Sequence, residues 1–308
     1  MIEIHGLTKQ FGKTKAVSDL SFTIARGDAF GFVGPNGAGK TTTIRMLATL
    51  LEPDAGTATV NGYDVQKDPE AVRACIGYMP DFFGVYDDMK VWEYLDFFAA
   101  AYRVPRRKRP GLISDVLELT DLTYKRDEYV DSLSRGMKQR LCLAKTLVHD
   151  PEVLLLDEPA SGLDPRARIE IRELLQELCR MRKTILVSSH ILPELAELCN
   201  KVAIVEAGKL VMAGSVSDIS AQLEGGVRLC IGLAGRQEEC RTFLAGRPDV
   251  LSAELREGMV EAVYRGAAAE QHLLLRALVE AGFQVQSFSD QLMDLETLYM
   301  RVTKGVVS

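Results

Sequence analysis

The sequence lacks the cysteine arrangements of zinc-binding and disulfide-stabilised proteins. Six cysteines are scattered through 308 residues, and no two of them form a Cys-x-x-Cys pair. This pattern indicates neither a structural zinc site nor a disulfide framework. A reducing compartment is therefore expected.

Long hydrophobic runs are also missing. Apolar runs such as residues 153–156 are far shorter than the roughly 18 residues that a membrane-spanning helix requires. Residues 1–6 alternate apolar and polar types like a strand, without the basic start and long apolar run of a signal peptide. We therefore expect a cytoplasmic protein that would serve any membrane process through a partner.

Positive charge is not in excess. The formal net charge is -6, and hydrophobic and charged residues make up 47% and 26% of the chain. This composition is ordinary for a globular protein. The negative balance disfavours binding of nucleic acid by bulk charge. The length allows one large domain or two ordinary ones.

Residues 1 to about 218 alternate short apolar runs with helical patterns. The runs 29–33 and 153–156 are almost uninterrupted, and the run 184–187 is shorter. Such runs are typical of strands that are buried on both faces of a sheet. They predict an α/β fold for this part of the chain.

Residues 84–150 have mainly helical patterns and would form an insert between strands of the sheet. Asp87 and Asp88 are candidates for the start of its first helix. The apolar positions of that helix would be Val91, Leu95, Phe98 and Tyr102. The basic run 103-RVPRRKRP-110 holds two prolines and is predicted to be a solvated loop rather than a functional patch.

The composition changes after residues 224–226. The residues that follow predict strands and helices in the order βαββαβ, with a hairpin turn at 256–258 and a last helix from about 292 to 303. This order is the ferredoxin-like pattern. We therefore expect two domains, residues 1–222 and residues 223–308.

The segment 34-GPNGAGKTT-42 matches a phosphate-binding loop. It follows a predicted strand and opens a helical pattern, which is the context that the G-x-x-x-x-G-K-[ST] motif requires. Backbone amides would surround the phosphates, Lys40 would reach the outer phosphates, and the Thr41 hydroxyl would bind Mg²⁺. The residues expected to bind the nucleotide are Gly34, Pro35, Asn36, Gly37, Ala38, Gly39, Lys40, Thr41 and Thr42.

Two adjacent acids end the apolar run in 153-VLLLDEP-159. Hydrolysis of a nucleotide needs an acid that holds the metal and a group that orients the attacking water. Asp157 is the candidate for the Mg²⁺ shell. Asp157 would stand at the strand end, and Glu158, next to it, would point the other way and polarise the attacking water.

His190 stands at the end of another apolar strand, 184-TILVSSH-190. Ligands of open α/β sheets bind at the carboxyl ends of the strands. His190 is therefore placed where it would contact a γ-phosphate, although a lone histidine is also often structural.

A second helix start with phosphate-binding character occurs at 133-LSRGM-137. Ser134 and the free amides after it can receive an anion. One chain cannot easily bring two such helix starts to one triphosphate. We therefore expect two chains to dimerise head to tail, each donating this loop to the nucleotide that the other holds.

The order and spacing of these motifs resemble those of the ATP-binding cassette (ABC) family. The motifs are the loop 34–42, the signature loop 133–137, the acids in 153–158, the 161-SGLD-164 loop and His190. The resemblance covers residues 1 to about 218 and implies a P-loop NTPase cassette with a helical subdomain at about 84–150. The C-terminal region resembles, more loosely, the regulatory extension of bacterial drug- and antibiotic-exporting ATPases.

Phe11 resembles the aromatic residue that stacks on adenine in this family, although core packing would explain it equally well. Two positions depart from the family pattern. The signature loop usually reads Leu-Ser-Gly-Gly-Gln, and here Arg135 and Met137 replace a glycine and the glutamine. Because Ser134 and Gly136 are retained, nucleotide binding by this loop is expected.

Asp81 is the second departure. It ends 76-IGYMPD-81, which resembles a loop that normally ends in glutamine and senses Mg²⁺ and the transport subunit. A carboxylate can also bind Mg²⁺. Capping of the turn before residues 82–84 is the alternative interpretation of Asp81.

The resemblance implies the ATPase subunit of an ABC exporter, with ATP and Mg²⁺ as ligands. It would form a homodimer and drive a separate transmembrane permease subunit from the cytoplasmic face of the membrane, and no nucleic-acid partner is expected. One alternative is a non-transport ABC ATPase acting on nucleic acid or ribosomes. The other is a small-molecule phosphotransferase, which would leave the signature loop and Glu158 unexplained.

Overall fold

The computed structural model describes residues 1–82, 84, 86, 88–265, 270–290 and 295–303. The chain divides into two compact units, one of residues 1–213 with residues 302 and 303, and one of residues 214–301. Within the described residues, no helix is long and apolar enough to cross a membrane.

The first unit alternates strands and helices. Its strands are β1 (Ile2–Phe11), β2 (Thr14–Ile24), β3 (Ala29–Val33), β4 (Ala55–Val60), β5 (Tyr63–Asp64), β6 (Ile76–Met79), β7 (Val153–Asp157), β8 (Thr184–Ser189), β9 (Lys201–Glu206) and β10 (Lys209–Ser215). Its helices are α1 (Lys40–Leu47), α2 (Pro69–Cys75), α3 (Val91–Ala101), α4 (Arg109–Leu119), α5 (Arg135–Leu147), α6 (Pro165–Arg180) and α7 (Leu192–Leu198).

The central sheet of this unit has the strand order β10-β9-β3-β8-β7-β6. Strands β9, β3, β8, β7 and β6 pair in parallel. Every residue of β3, β7 and β8 is buried. This burial explains their continuous apolar runs, and the three strands predicted from those runs are confirmed.

A second sheet has the order β2-β1-β4-β5. Its apolar face packs on β3 of the central sheet, where the Phe22 ring stacks on the Phe30 ring with centroids 5.3 Å apart. The two sheets share one hydrophobic core that also includes Ile2, Ile4 and Leu186. This core holds strand β3 in place, and the predicted phosphate loop directly follows that strand.

The insert between β6 and β7 is helical, as predicted. Its first helix, α3, begins at Val91 rather than at Asp88, which lies in a turn, so that predicted start was wrong; Asp87 lies outside the described residues. The helix starts later because the Glu93 carboxylate accepts a hydrogen bond from the Lys90 backbone amide at 2.9 Å.

The basic run at 103–110 is divided between two structures. Arg106, Arg107 and Lys108 are exposed in a turn, whereas Arg109 begins helix α4. The Arg109 guanidinium donates to the Val104 carbonyl at 2.8 Å. The turn therefore has the solvated character that the sequence indicated.

The second unit begins at the end of β10, and its first helix is α8 (Val216–Glu224), so the predicted domain boundary near residue 222 lies within this helix. The elements that follow are β11 (Val227–Leu233), α9 (Gln237–Ala245), β12 (Val250–Arg256), β13 (Met259–Tyr264), α10 (Gln271–Glu280), β14 (Val285–Asp290) and α11 (Leu295–Val302). The predicted βαββαβ order is confirmed. Residues 292–294 of the predicted last helix lie outside the described residues.

The sheet of the second unit has the order β12-β13-β11-β14, and its pairings are antiparallel. Positive φ values of 48° at Glu257 and 82° at Gly258 make the tight turn between β12 and β13. Leu244 of α9 and Leu274 of α10 pack in the same core as Leu229 of β11. This unit therefore has a hydrophobic core of its own.

Candidate nucleotide-binding and hydrolysis site

The predicted phosphate loop connects the buried strand β3 to helix α1. Gly39 precedes the helix with φ 95°, and a Cβ there would collide with the Ala16 carbonyl. Only glycine fits this combination of backbone angle and close approach. Because Gly39 supplies no capping side chain, the amides of the first turn stay available for an anionic ligand.

Lys40 is buried at the start of α1. Its Nζ donates hydrogen bonds to the carbonyls of Gly34 at 2.7 Å and Pro35 at 3.3 Å. The same Nζ lies 3.5 Å from Oε1 of Glu158. Burial lowers the pKa of Lys40, and the carboxylates of Glu158, Asp157 and Asp81 oppose that shift. The lysine thus lies among the acids that the sequence had indicated.

Asp157 ends strand β7 and is 1% exposed. Its Oδ1 accepts a hydrogen bond from the Ser188 hydroxyl at 2.7 Å, whereas its buried Oδ2 has no hydrogen-bond partner. An unpaired buried carboxylate oxygen is costly unless a ligand satisfies it. Carboxylate oxygens are ligands that Mg²⁺ accepts. The Asp157 side chain therefore fits the predicted role of metal ligand.

Glu158 lies just beyond the end of β7, in the left-handed conformation with φ 50°. Its backbone amide donates to Ser188, 3.2 Å from the carbonyl and 3.0 Å from Oγ. Strand β7 ends at Asp157, so Glu158 is the first residue beyond the strand. This turn brings the Glu158 carboxylate next to Lys40.

His190 follows strand β8, which lies between β3 and β7 in the sheet. Its Nδ1 lies 2.7 Å from Oε2 of Glu158. The ends of three adjacent strands therefore bring Lys40, Glu158 and His190 together. These residues are far apart in the sequence, and the parallel pairing of the strands makes them neighbours.

A cavity of about 360 Å³ lies in front of the phosphate loop. It is lined by Phe11, Thr14, Ala16, Pro35, Asn36, Gly37, Gly39, Lys40, Thr41, Thr42, Asp81 and Glu158. The remaining loop residues, Gly34 and Ala38, are buried behind this lining. Most of the residues predicted to bind the nucleotide thus share one cavity.

Phe11 is 51% exposed at the edge of this cavity. This exposure excludes the alternative that Phe11 is a core residue. Thr14, which sequence reasoning missed, pairs with Phe11 across the β1–β2 hairpin. The Gly12-Lys13 turn between two alternating strands is the signal that would have indicated Thr14.

Ser134 and Gly136 do not line the cavity of their own chain. Ser134 is exposed and caps α5, with Oγ accepting from the Met137 amide at 3.3 Å. Gly136 packs so closely on α6 that a Cβ would lie 3.1 Å from the Cβ of Ala167. The structure therefore brings the signature loop to the surface and apart from the phosphate loop.

Comparison with known proteins identifies the family. The family model described as "ABC transporter" matches residues 17–161. The Nod factor export ATP-binding protein I of Paraburkholderia xenovorans is 40% identical over 220 residues, which cover 71% of this chain and 72% of that protein. The linearmycin resistance ATP-binding protein LnrL of Bacillus subtilis is 29% identical over 306 residues, which cover 98% of both chains.

Solved structures agree with this assignment. An ATP-binding subunit of an ABC transporter is 29% identical, with a TM-score of 0.66 over 72% of this chain and 93% of that one. A dimeric ATP-binding cassette in a post-hydrolysis state with ADP and Pi has the same fold, with a TM-score of 0.63 at 21% identity over 70% of this chain and 98% of that one. The chain belongs to the ABC transporter family, and its first unit has the fold of that family's ATP-binding cassette.

Proposed function

We propose that this protein is the ATPase subunit of an exporter, binding ATP with Mg²⁺ and driving a separate membrane subunit. The observation that carries the proposal is the convergence on Glu158. Its carboxylate lies 3.5 Å from the Lys40 amine and 2.7 Å from the His190 ring. Lys40 supplies a cation that can bind phosphate, Glu158 supplies a base for water, and His190 supplies a polar side chain. All three lie near the carboxyl ends of neighbouring strands.

ATP occupies the cavity with its phosphates on the amides of residues 34–42. The exposed ring of Phe11 stacks on adenine. The Lys40 amine exchanges the carbonyls of Gly34 and Pro35 for the outer phosphates. This exchange is favourable because a charged partner replaces neutral ones.

The Thr41 hydroxyl and Oδ2 of Asp157 would hold Mg²⁺, and Asp81 lines the same cavity. The ion would neutralise the negative charge that develops on the phosphates. The Asp157 carboxylate is kept in place by Ser188, which donates to its other oxygen.

Glu158 accepts the proton of the attacking water. His190 holds Oε2 of this carboxylate and contacts the γ-phosphate from the end of β8. Because Glu158 lies beyond the strand in a fixed turn, its carboxylate is directed before the substrate binds. Such preorganisation lowers the cost of reaching the transition state.

Two chains form the active assembly. Ser134 and Gly136 lie outside the cavity of their own chain, and a head-to-tail partner brings them to the γ-phosphate. ATP then joins the two chains, and hydrolysis releases them. The dimeric cassette of the same fold supports this arrangement.

The membrane subunit is a permease at the cytoplasmic face of the membrane, and the direction of transport is export. The support is that one relative is named for Nod factor export and another for linearmycin resistance. The second unit, with its own core, has a regulatory role. No nucleic acid takes part.

Affinity purification of the tagged chain from its native membrane tests the proposal. We expect a polytopic membrane protein to co-purify and the complex to hydrolyse ATP, with Lys40→Ala as the inactive control. Purification with ribosomes or DNA, or transfer of phosphate to a small molecule, would contradict the proposed function.

A further inference from the structure

Gln139 is a buried polar side chain that the proposed mechanism does not use. It lies on α5 and is 3% exposed. Its Nε2 donates a hydrogen bond of 2.6 Å to the carbonyl of Pro159. Pro159 directly follows Glu158, so this bond holds the chain one residue beyond the proposed base.

The turn that carries Glu158 needs such support. A non-glycine residue with positive φ is disfavoured unless the surrounding contacts hold it. Ser188 holds the turn on its strand side through the Glu158 amide. On the other side, the Ser161 amide donates to the Glu158 carbonyl at 3.0 Å, and Pro159 has no amide hydrogen to donate. The Gln139 amide is therefore an anchor from α5 for the chain that leaves Glu158.

The start of α5 also contacts the chain after Glu158 at two further residues, Gly162 and Ala167. The Arg135 guanidinium lies against Gly162, and Gly136 packs on Ala167. Gln139 is five residues beyond Ser134, which caps this helix. A short, buried hydrogen bond thus links the helix that starts at the signature loop with the residue after Glu158.

We propose that Gln139 is a positioning residue that holds the Glu158 carboxylate in its working direction through the Pro159 carbonyl. The inference rests on the proposed role of Glu158 as the base. It adds that the signature loop and the base move together within one chain. Nucleotide contacts made by Ser134 in a dimer would then act on the glutamate of the same chain.

Gln139→Met tests the inference, because methionine keeps the length of the side chain and removes the donor. Gln139→Glu is the second variant, since an ionised carboxylate has a similar shape and no hydrogen to donate. We expect kcat to fall by about 10²-fold in both, as small displacements of a reacting group cost this much. We expect KM for ATP to stay within about twofold, since the phosphate loop is not altered.

Thr146→Val is the matched control. Thr146 is buried on the same helix, and its hydroxyl donates to the Cys142 carbonyl at 2.7 Å, away from Glu158. The control loses a buried hydrogen bond of the same helix and should keep its kcat. Melting temperatures of all variants separate loss of fold from loss of rate.

A double variant that also carries Glu158→Gln distinguishes a role of Gln139 in positioning Glu158 from a general loss of structure. If Gln139 acts through Glu158, adding Gln139→Met to Glu158→Gln leaves the residual rate unchanged. A further large loss in the double variant, or a kcat of the folded single variants within about twofold of wild type, would overturn the inference. Full activity of Glu158→Gln itself would instead overturn the proposed function.

Discussion

Nδ1 of His190 lies 2.7 Å from Oε2 of Glu158, in contact across two neighbouring strands. The other oxygen of the same carboxylate lies 3.5 Å from Nζ of Lys40. The glutamate is therefore held from both sides by residues of adjacent strand ends. The orientation of the Glu158 carboxylate depends on both His190 and Lys40, and each of these two residues can be tested separately.

His190→Ala removes one of these two contacts. We expect kcat to fall by about 10²-fold, because the Glu158 carboxylate loses its orientation and the γ-phosphate loses a contact. Binding of ATP should change little. Steady-state ATPase assays check the expectation, with the exposed His5→Ala as control. A kcat equal to that of the control would mean that His190 is structural.

Lys40→Ala removes a cation from the outer phosphates. A hydrogen bond to a charged group contributes about 1.5–3 kcal/mol, so the affinity for ATP should fall by about 10- to 100-fold. Equilibrium titration with a fluorescent ATP analogue measures this loss. Lys67→Ala, at a side chain 82% exposed, is the control. Unchanged affinity in the Lys40 variant would show that the nucleotide binds elsewhere.

Asp81 lines the cavity near Lys40, at the position where the resemblance to the ABC family implies a glutamine. A carboxylate there attracts Mg²⁺ and repels phosphate, and both effects are several kcal/mol before screening at short range. Asp81→Asn should raise the Mg²⁺ concentration for half-maximal ATPase and have less effect on metal-free ATP binding. Asp81→Gln should leave a working enzyme.

Titration of Mg²⁺ against ATPase activity for the wild type and both Asp81 variants decides this point. Superimposable curves would leave only the interpretation that Asp81 caps a turn. Nucleotide titrations with a chelator present serve as the control, because they measure binding without the metal.

The second unit should be dispensable for folding of the cassette, since each unit has its own hydrophobic core. We expect chains that end after residue 213 or after residue 222 to melt cooperatively and to hydrolyse ATP. Comparing the two truncations also tests the predicted boundary, which lies inside α8. If neither truncated chain folds, the two units depend on each other.

Much of the cassette was predictable because its chemistry depends on local sequence. Buried parallel strands leave continuous apolar runs, and the phosphate loop has a fixed glycine spacing between a strand and a helix. The βαββαβ order was likewise readable from alternating strands and the turn at Glu257-Gly258. Roles for Lys40, Asp157 and Glu158 follow from those patterns and stay predictions.

The remaining features depend on contacts that no local pattern encodes. The left-handed turn at Glu158 is stabilised by Ser188, thirty positions later. The α3 start was misplaced because Lys90, a poor capping residue by type, is paired with Glu93. Gln139 reaches Pro159 twenty positions away. Such pairings become visible only when the strands and helices are packed.

Glu158→Gln gives the most direct test of the account. Size-exclusion chromatography with MgATP and steady-state ATPase assays are measured on the same preparation. The amide fills the site but cannot take a proton, so turnover should fall on the order of 10²–10⁴-fold. ATP should bind and hold the variant as a dimer. A variant that hydrolyses ATP at the wild-type rate, or that stays monomeric with MgATP, would contradict the account.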